Sequence, residues 1–203
     1  MRTYEIKRMA KGGDWSDKPI LEMDTRYRNT PDTVKAWAQL AYDDEAILVR
    51  LWTLEYEHRA LETGILGEPF KDCCLEFFFC PMEGDTRYFN LETNALGCYY
   101  LGIGSGLHDL IRLIPDPDAD IEPLFDRRIT KSEGGWELAY RFPYELIRRF
   151  FPNFKVYPGK EIRANCYKCA DMTDPPHYLS WSPVTAEKFT FHTPQCFGTM
   201  TFI

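Results

Sequence analysis

The sequence lacks the features of a membrane-spanning chain and of a secretory leader. Its apolar runs are short, whereas a spanning helix needs about 20 consecutive apolar residues. The N-terminal stretch MRTYEIKRMAKGGDWSD contains no apolar segment of the signal-peptide type. As encoded, the chain is therefore expected in the cytoplasm, and an extracellular or periplasmic location would require a leader removed from this sequence. We expect no membrane partner.

Clustered basic residues are also missing. The chain has 24 Lys and Arg against 31 Asp and Glu, which gives a formal charge of -7, and its only basic cluster is Arg148-Arg149. Binding to phosphate backbones depends on grouped basic side chains. This charge balance excludes nucleic acid as an expected partner.

Linkers, repeats and compositional breaks are absent as well. Charged residues are mixed along all 203 residues, and no Ser/Gly/Gln-rich segment divides them. A chain of this length can bury one sizeable core, so we predict a single domain, 1–203. Its seven cysteines are an odd number in a chain without a leader, which favours reduced thiols over a disulfide framework.

Motifs for metals, cofactors and nucleophiles are weak. The four histidines have no ligand spacing, and the two sulfurs of CYKC (166–169) would diverge because residues i and i+3 of a strand face opposite sides. PDPDAD (115–120) resembles the start of a calcium loop but lacks the Gly and Glu that such a loop needs, and it is interpreted as a solvated loop. LGIGSG (101–106) is interpreted as a turn because no helix follows it.

What the sequence does contain is a series of short alternating segments, typical of an all-β domain. Segments 33–42 and 46–56 predict one hairpin, and 72–79 with 86–95 a second. Only 143–151 has helical spacing. We predict an antiparallel jelly-roll β-sandwich with one short helix, with a closed barrel as the alternative. Further strands are expected at 97–104, 136–143, 161–171, 177–184 and 197–203.

Strand 72–79 carries a carboxylate among apolar residues. Its period of two sends Leu75, Phe77 and Phe79 to one face, and Cys74, Glu76 and Phe78 to the other. On strand 161–171 the same rule places Arg163, Asn165 and Tyr167 opposite the core-facing residues. The predicted second face thus mixes polar groups with aromatic rings, which suits a sugar site but equally suits a secondary core.

Glu76 and Glu92 lie on neighbouring predicted strands. Glycoside hydrolysis uses two carboxyl groups on either side of the scissile bond, so these residues are the candidate pair for that chemistry. A sheet with 31 acidic residues will offer such pairs by chance, however, and neither position shows a sequence feature that would raise one pKa.

Several strings in fixed order resemble the carbohydrate-binding module family 9-like domains from about residue 30 to the C-terminus. They are AYDDEAILVRLW, DCCLEFFF, RYFNLETNALGCYYLG, RANCYKCAD, HYLSWSPV and FHTPQCFGTMTF. The resemblance implies a jelly-roll sandwich and non-catalytic binding of glucose- or xylose-type units. It also implies an accessory role to glycoside hydrolases, often xylanases, and calcium as a structural ion in some members, with no ligand positions assigned on this sequence.

The resemblance further implies site residues. Two tryptophans that hold the sugar ring in the family correspond to Phe70 and Phe191, while Glu76 and Asn94 match hydrogen-bonding positions. Glu92 stands where the family has Arg, and an amide position corresponds to Tyr167.

The sequence therefore predicts a non-catalytic carbohydrate-binding domain for mono- or oligosaccharides from plant or dietary polysaccharides, with Phe70 and Phe191 as the clamp. The alternatives are a xylanase-like hydrolase that uses Glu76 and Glu92, and a β-sandwich that presents its aromatic surface to another protein.

Overall fold

The computed structural model describes residues 2–55, 59–114 and 125–203. The PDPDAD segment, 115–120, lies outside the described residues, as does His58. In the described parts, no helix is both long enough and apolar enough to cross a membrane.

The described elements are mainly short strands. The helix α1 (Tyr144–Phe150) and three 3-10 turns, η1 (Pro69–Lys71), η2 (Leu107–Asp109) and η3 (Pro194–Cys196), accompany them. The strands are β1 (Thr3–Arg8), β2 (Leu21–Glu22), β3 (Thr25–Tyr27), β4 (Lys35–Tyr42), β5 (Ala46–Leu54), β6 (Cys74–Cys80), β7 (Tyr88–Asn94), β8 (Tyr99–Gly104), β9 (Ile111–Arg112), β10 (Arg128–Ser132), β11 (Gly135–Pro143), β12 (Glu161–Ala170), β13 (His177–Ser180) and β14 (Gly198–Phe202).

The strands form two layers that share β1. One layer has the order β10–β11–β5–β4, and the other has the order β14–β12–β6–β7–β8–β9, with β13 beside β12 and β3 beside β13. The first half of β1, Thr3–Ile6, pairs parallel with β14, and Lys7 and Arg8 pair parallel with β4. The predicted all-β sandwich with a short helix is confirmed, but these two parallel pairings make its sheet mixed rather than purely antiparallel.

Both predicted hairpins are present. β4 pairs antiparallel with β5 over its whole length, and β6 pairs antiparallel with β7. The helix α1 follows Pro143, as its spacing predicts, and buries Leu146 and Ile147. The sequence patterns did not indicate β1, β2, β3, β9 or β10. Three of them, β2, β3 and β9, have only two or three residues, and β10 is largely exposed; β1 does alternate, but it buries only Tyr4 and Ile6.

The central core fills the space between the layers. Leu75, Phe77 and Phe79 of β6 point into it, and Phe142 of β11 meets Phe79 edge to face at 4.9 Å between ring centroids. Burial of such side chains contributes about 1.5–3 kcal/mol each. The period of two on β6 therefore fixes which residues remain for the opposite face.

A second apolar cluster, here called the outer cluster, covers the other face of the β6–β12 layer. It contains Cys74 and Phe78 from β6, Tyr167 and Cys169 from β12, and Phe191 from the segment between β13 and η3. That segment folds back over the sheet, so the outer face is not open to solvent. The candidate site lies at one end of this cluster.

Candidate functional site

The site is a pocket of about 480 Å³ on the outer face of the β6–β12 layer. Three of its lining residues carry carboxyl groups, and five carry the aromatic ring of Phe or Tyr. The lining residues that the argument uses are Phe70, Glu76, Glu92, Tyr178, Phe189 and Phe191.

Glu76 and Glu92 reach the pocket because of strand register. They are directly opposite each other in the β6–β7 pair, so both side chains point to the same face. Glu76 is 3% exposed and Glu92 is 4% exposed. Two buried carboxyl groups thus lie side by side.

The hydrogen bonds to these carboxyl groups are few. The Cys169 thiol donates to Oε1 of Glu76 at 2.7 Å, and the Asn90 amide donates to Oε1 of Glu92 at 2.8 Å. Oε2 of Glu92 is buried with no hydrogen-bond partner among the described residues. In the described parts of the chain, no basic side chain forms a salt bridge with either carboxyl group.

Burial raises both pKa values. Loss of solvent raises the pKa of Glu92 to about 7, and loss of solvent together with the neighbouring charge of Glu92 raises the pKa of Glu76 well above its ordinary value. Sequence patterns could not predict these raised pKa values, since they arise from the burial in the fold of two groups that are 16 positions apart.

The aromatic walls come from four separate parts of the chain, among them β8, which contributes Tyr100. Phe70 lies in η1 and is partly buried, Tyr178 lies on β13, and the ring of Phe189 packs edge to face on Tyr178 at 5.4 Å. Phe191 is 8% exposed and stacks on Tyr167 with ring centroids 4.1 Å apart. The predicted clamp residues Phe70 and Phe191 therefore line the same pocket.

Tyr167 supports the pocket from below. It is fully buried, and its hydroxyl donates to the Phe191 carbonyl at 3.2 Å. Because Phe191 covers its ring, Tyr167 does not line the pocket. Tyr167 therefore supports Phe191, and only Phe191 of these two predicted site residues is part of the pocket lining.

Asn94 lies outside the pocket lining. Its amide nitrogen donates to the Glu62 carbonyl and to Asp72, and its amide oxygen accepts from the backbone of Leu96 and Cys98. With its donors and acceptor engaged in this way, Asn94 holds the turn after β7. The geometry leaves it no free group for a ligand.

Positive charge at the pocket is confined to its rim. Arg28 packs over the ring of Tyr178 at 4.7 Å and donates to its hydroxyl. Burial lowers the pKa of His192 to about 4, so this lining imidazole is neutral at pH 7. Asp171, also in the lining, is exposed.

A buried ionic network lies on β12 next to the site. The Lys168 ammonium is 3.0 Å from both Glu55 and His177, and the indole of Trp136 donates to Glu55 at 2.8 Å. The Lys168 charge contributes to a strongly lowered pKa of Glu55, against the opposing effect of burial. This network keeps an ionised pair in the sandwich and adds no group to the pocket.

Calcium does not fit the metal-type clusters among the described residues. The two groups with ligand atoms close together are Glu55 with Cys73 and His177, and Cys74 with Glu76 and Cys169. Each contains a single carboxylate and at least one thiol, whereas calcium takes six to eight oxygen ligands. Lys168 already neutralises Glu55 in the first group.

Sequence reasoning missed several lining residues. Tyr178, Phe189, Arg28 and Asp171 come from separate parts of the chain, and only the fold brings them together. One signal was available: Phe189 and Phe191 are two positions apart, which would put them on one side of an extended segment.

The sequence matches one known protein family. A family model described as carbohydrate-binding family 9 matches residues 22–202. A search of curated proteins found no match.

Similar folds occur among solved structures. A Bacteroides uniformis ATCC 8492 protein with a proposed carbohydrate-binding function has a TM-score of 0.81 and 26% identity, covering 100% of this chain and 99% of that one. Carbohydrate-binding module family 9 of Caldicellulosiruptor kristjanssonii, with glucose, has a TM-score of 0.71 and 11% identity, covering 100% and 96%. The same module with cellotriose has a TM-score of 0.70 and 11% identity, covering 99% and 93%.

Proposed function

Because the chain belongs to carbohydrate-binding family 9, we propose that its outer-face pocket binds one glucose- or xylose-type unit of a plant or dietary polysaccharide without cleaving it. The observation that carries this proposal is a pocket whose base has carboxyl groups and whose walls have aromatic rings. Flat rings cover the C–H faces of a pyranose, and fixed polar groups bind its hydroxyls.

Each lining group has a defined role in this proposal. Phe70 and Phe191 pack against the two faces of the sugar ring, and Phe191 offers the surface that Tyr167 leaves uncovered. Glu76 and Glu92 bind hydroxyl groups. Each aromatic contact contributes about 0.5–1.5 kcal/mol beyond buried area, so affinity for one unit is modest.

Calorimetry with glucose, xylose and cellobiose tests the proposal. We expect Phe70→Ala to weaken sugar binding about tenfold, since that factor corresponds to about 1.4 kcal/mol. Phe150→Ala is the matched control, because Phe150 is also partly buried but lies on α1 outside the pocket lining. Equal sugar affinity in Phe70→Ala and in the unmodified protein would count against the clamp.

Glycoside hydrolysis is the second candidate. Two facing carboxyl groups with raised pKa values favour it, because a general acid must keep its proton near neutral pH. Incubation with xylan and cello-oligosaccharides, followed by a reducing-end assay, separates the two functions. We expect no new reducing ends; activity that disappears in Glu76→Gln would establish the hydrolase instead.

The protein-contact alternative required an exposed aromatic patch. Phe78 is fully buried and Phe191 is 8% exposed, and Phe191 lines a concave pocket. These features favour a small ligand.

The proposed function also includes an accessory role, in which the domain acts together with a glycoside hydrolase. A linked binding module raises the local concentration of its catalytic partner on the polysaccharide. Co-sedimentation of the chain with insoluble xylan and cellulose, with Phe70→Ala as the reference, tests whether polymer is retained.

A further inference from the structure

No basic side chain among the described residues forms a salt bridge with the carboxyl pair of the pocket. Glu76 and Glu92 are directly opposite each other, and each is at least 96% buried. Glu92 lines the pocket, and its buried Oε2 has no hydrogen-bond partner among the described residues. An unpaired buried oxygen is costly, so a ligand that donates to it gains from the contact.

Acceptors predominate at this position. In their ionised forms the two carboxyl groups can only accept hydrogen bonds, and the Cys169 thiol and Asn90 amide supply one donor each to the pair. A hydroxyl offers one donor, whereas a ligand ammonium offers three donors and no acceptor. The geometry of two adjacent carboxyl groups therefore suits an ammonium better than a hydroxyl.

The basic side chains near the carboxyl pair bind other groups and do not supply the donors that a ligand ammonium would supply. Arg28 is at the rim over Tyr178, and Lys168 is bound to Glu55. Arg112 donates to the backbone carbonyls of Gly67 and Tyr99. The titratable and charged groups that lie near the pair on its neighbouring elements are Cys74, Tyr88, Tyr100, Arg112, Lys168, Cys169, Asp171, Arg28 and His192.

The walls also favour a cation. The rings of Phe70, Tyr178, Phe189 and Phe191 line the space above the carboxyl groups. Aromatic faces attract ammonium groups, and the attraction increases when water is excluded. Carboxyl groups beside aromatic rings are a combination that binds amines, because an ammonium ion placed next to the pair favours its ionised form.

We infer that the pocket prefers a sugar unit that carries a protonated amine, with the ammonium bound between Glu76 and Glu92. This inference rests on the proposed function and narrows its ligand class to amino sugars. A divalent cation is the less suitable occupant, because the thiol of Cys169 and the aromatic walls supply no further oxygen ligands.

Calorimetry with glucosamine and glucose tests the inference, since the two sugars differ only by an amine in place of one hydroxyl. We expect glucosamine to bind about tenfold more tightly near pH 7, as charge-assisted hydrogen bonds are roughly twice as strong as neutral ones. Burial raises the pKa of Glu92 to about 7. Lowering the pH to about 5 therefore protonates the pair, and the preference should shrink.

Substitutions locate the amine. Glu92→Gln and Glu76→Gln should each reduce the ratio of glucosamine to glucose affinity towards one. Glu22→Gln is the matched control, because Glu22 is exposed on β2 and outside the pocket lining, and its ratio should stay near ten. A melting curve for each variant confirms that it is folded.

The outcomes separate this inference from the proposed function. Glucose binding that Phe70→Ala weakens, with glucosamine no tighter than glucose, would overturn the amine preference and leave sugar binding intact. A preference that survives both glutamate substitutions would also overturn it. Binding of calcium chloride alone, lost in Glu92→Gln, would show that a metal ion occupies the pair. Failure of every sugar to bind would remove the proposed function itself.

Discussion

Glu92 differs from the buried carboxylate Asp72 in the number and charge of its hydrogen-bond partners. Asp72 is fully buried, but it is paired with Arg59 and accepts hydrogen bonds from the backbone of Leu61 and Glu62. Glu92 has one amide donor and a carboxyl neighbour, Glu76. The contrast indicates that burial of Glu92 lowers the stability of the unliganded protein. A ligand that donates a hydrogen bond to this carboxyl group would recover part of that stability.

We predict that the unliganded protein becomes less stable as pH rises through the raised pKa of Glu92. The folded state holds this proton up to about pH 7, whereas the unfolded state releases it near 4.5, so stability is highest below 4.5 for this group and falls as pH increases. Urea unfolding should show a loss of order 1–3 kcal/mol between these values.

Glu92→Gln should flatten that dependence, because glutamine does not titrate. The exposed-site variant Glu22→Gln should keep the slope of the unmodified protein. An unchanged slope in Glu92→Gln would assign the pH dependence to another group.

At the scale of elements, the two faces of β6 contribute side chains to two different apolar clusters. Phe77 and Phe78 are adjacent and fully buried, but Phe77 stacks on Phe79 in the central core, whereas Phe78 contacts Tyr167 and Tyr88 in the outer cluster. Strand alternation alone produces this separation. The outer cluster supports the pocket, and the central core does not reach it.

Phe77→Leu and Phe78→Leu should therefore have different effects on sugar binding. Both substitutions leave small cavities and should lower the free energy of unfolding by roughly 1–2 kcal/mol. Only Phe78→Leu should weaken sugar affinity, because it loosens Tyr167, on which Phe191 stacks. Calorimetry measures the sugar affinity of the two folded variants. Equal losses of sugar affinity in both variants would show that the central core and the outer cluster are coupled.

At the scale of the whole molecule, β1 connects the layers. Its Ile6 is fully buried in the central core, and β1 hydrogen-bonds to β14 on one side and β4 on the other. A single strand thus closes the space between the layers. The two layers are expected to unfold together.

Ile6→Ala should destabilise the protein by about 2–5 kcal/mol while unfolding remains one cooperative transition. Far-UV circular dichroism and tryptophan fluorescence should give the same midpoint, since both layers depend on β1. Ile20→Ala, at a side chain that is 64% exposed, is the control and should change stability little. Two separate transitions would contradict this role of β1.

The sequence by itself determined the local part of this architecture. Period-two alternation set the two faces of β6 and β12, and the turn residues between 79 and 86 paired Glu76 with Glu92 across one hairpin. These features depend on neighbouring positions only, so pattern analysis reaches them.

Only the tertiary structure decided the pocket itself. The segment after β13 folds over the outer face and brings Phe189 and Phe191 to Phe70, more than 100 positions away. In the folded chain Phe191 covers the ring of Tyr167, and the Asn94 side chain is hydrogen-bonded within a turn. Burial in the fold also raises the pKa values of Glu76 and Glu92 by removing water. Burial and long-range contacts belong to the assembled chain, because they depend on residues that only the completed sandwich makes neighbours.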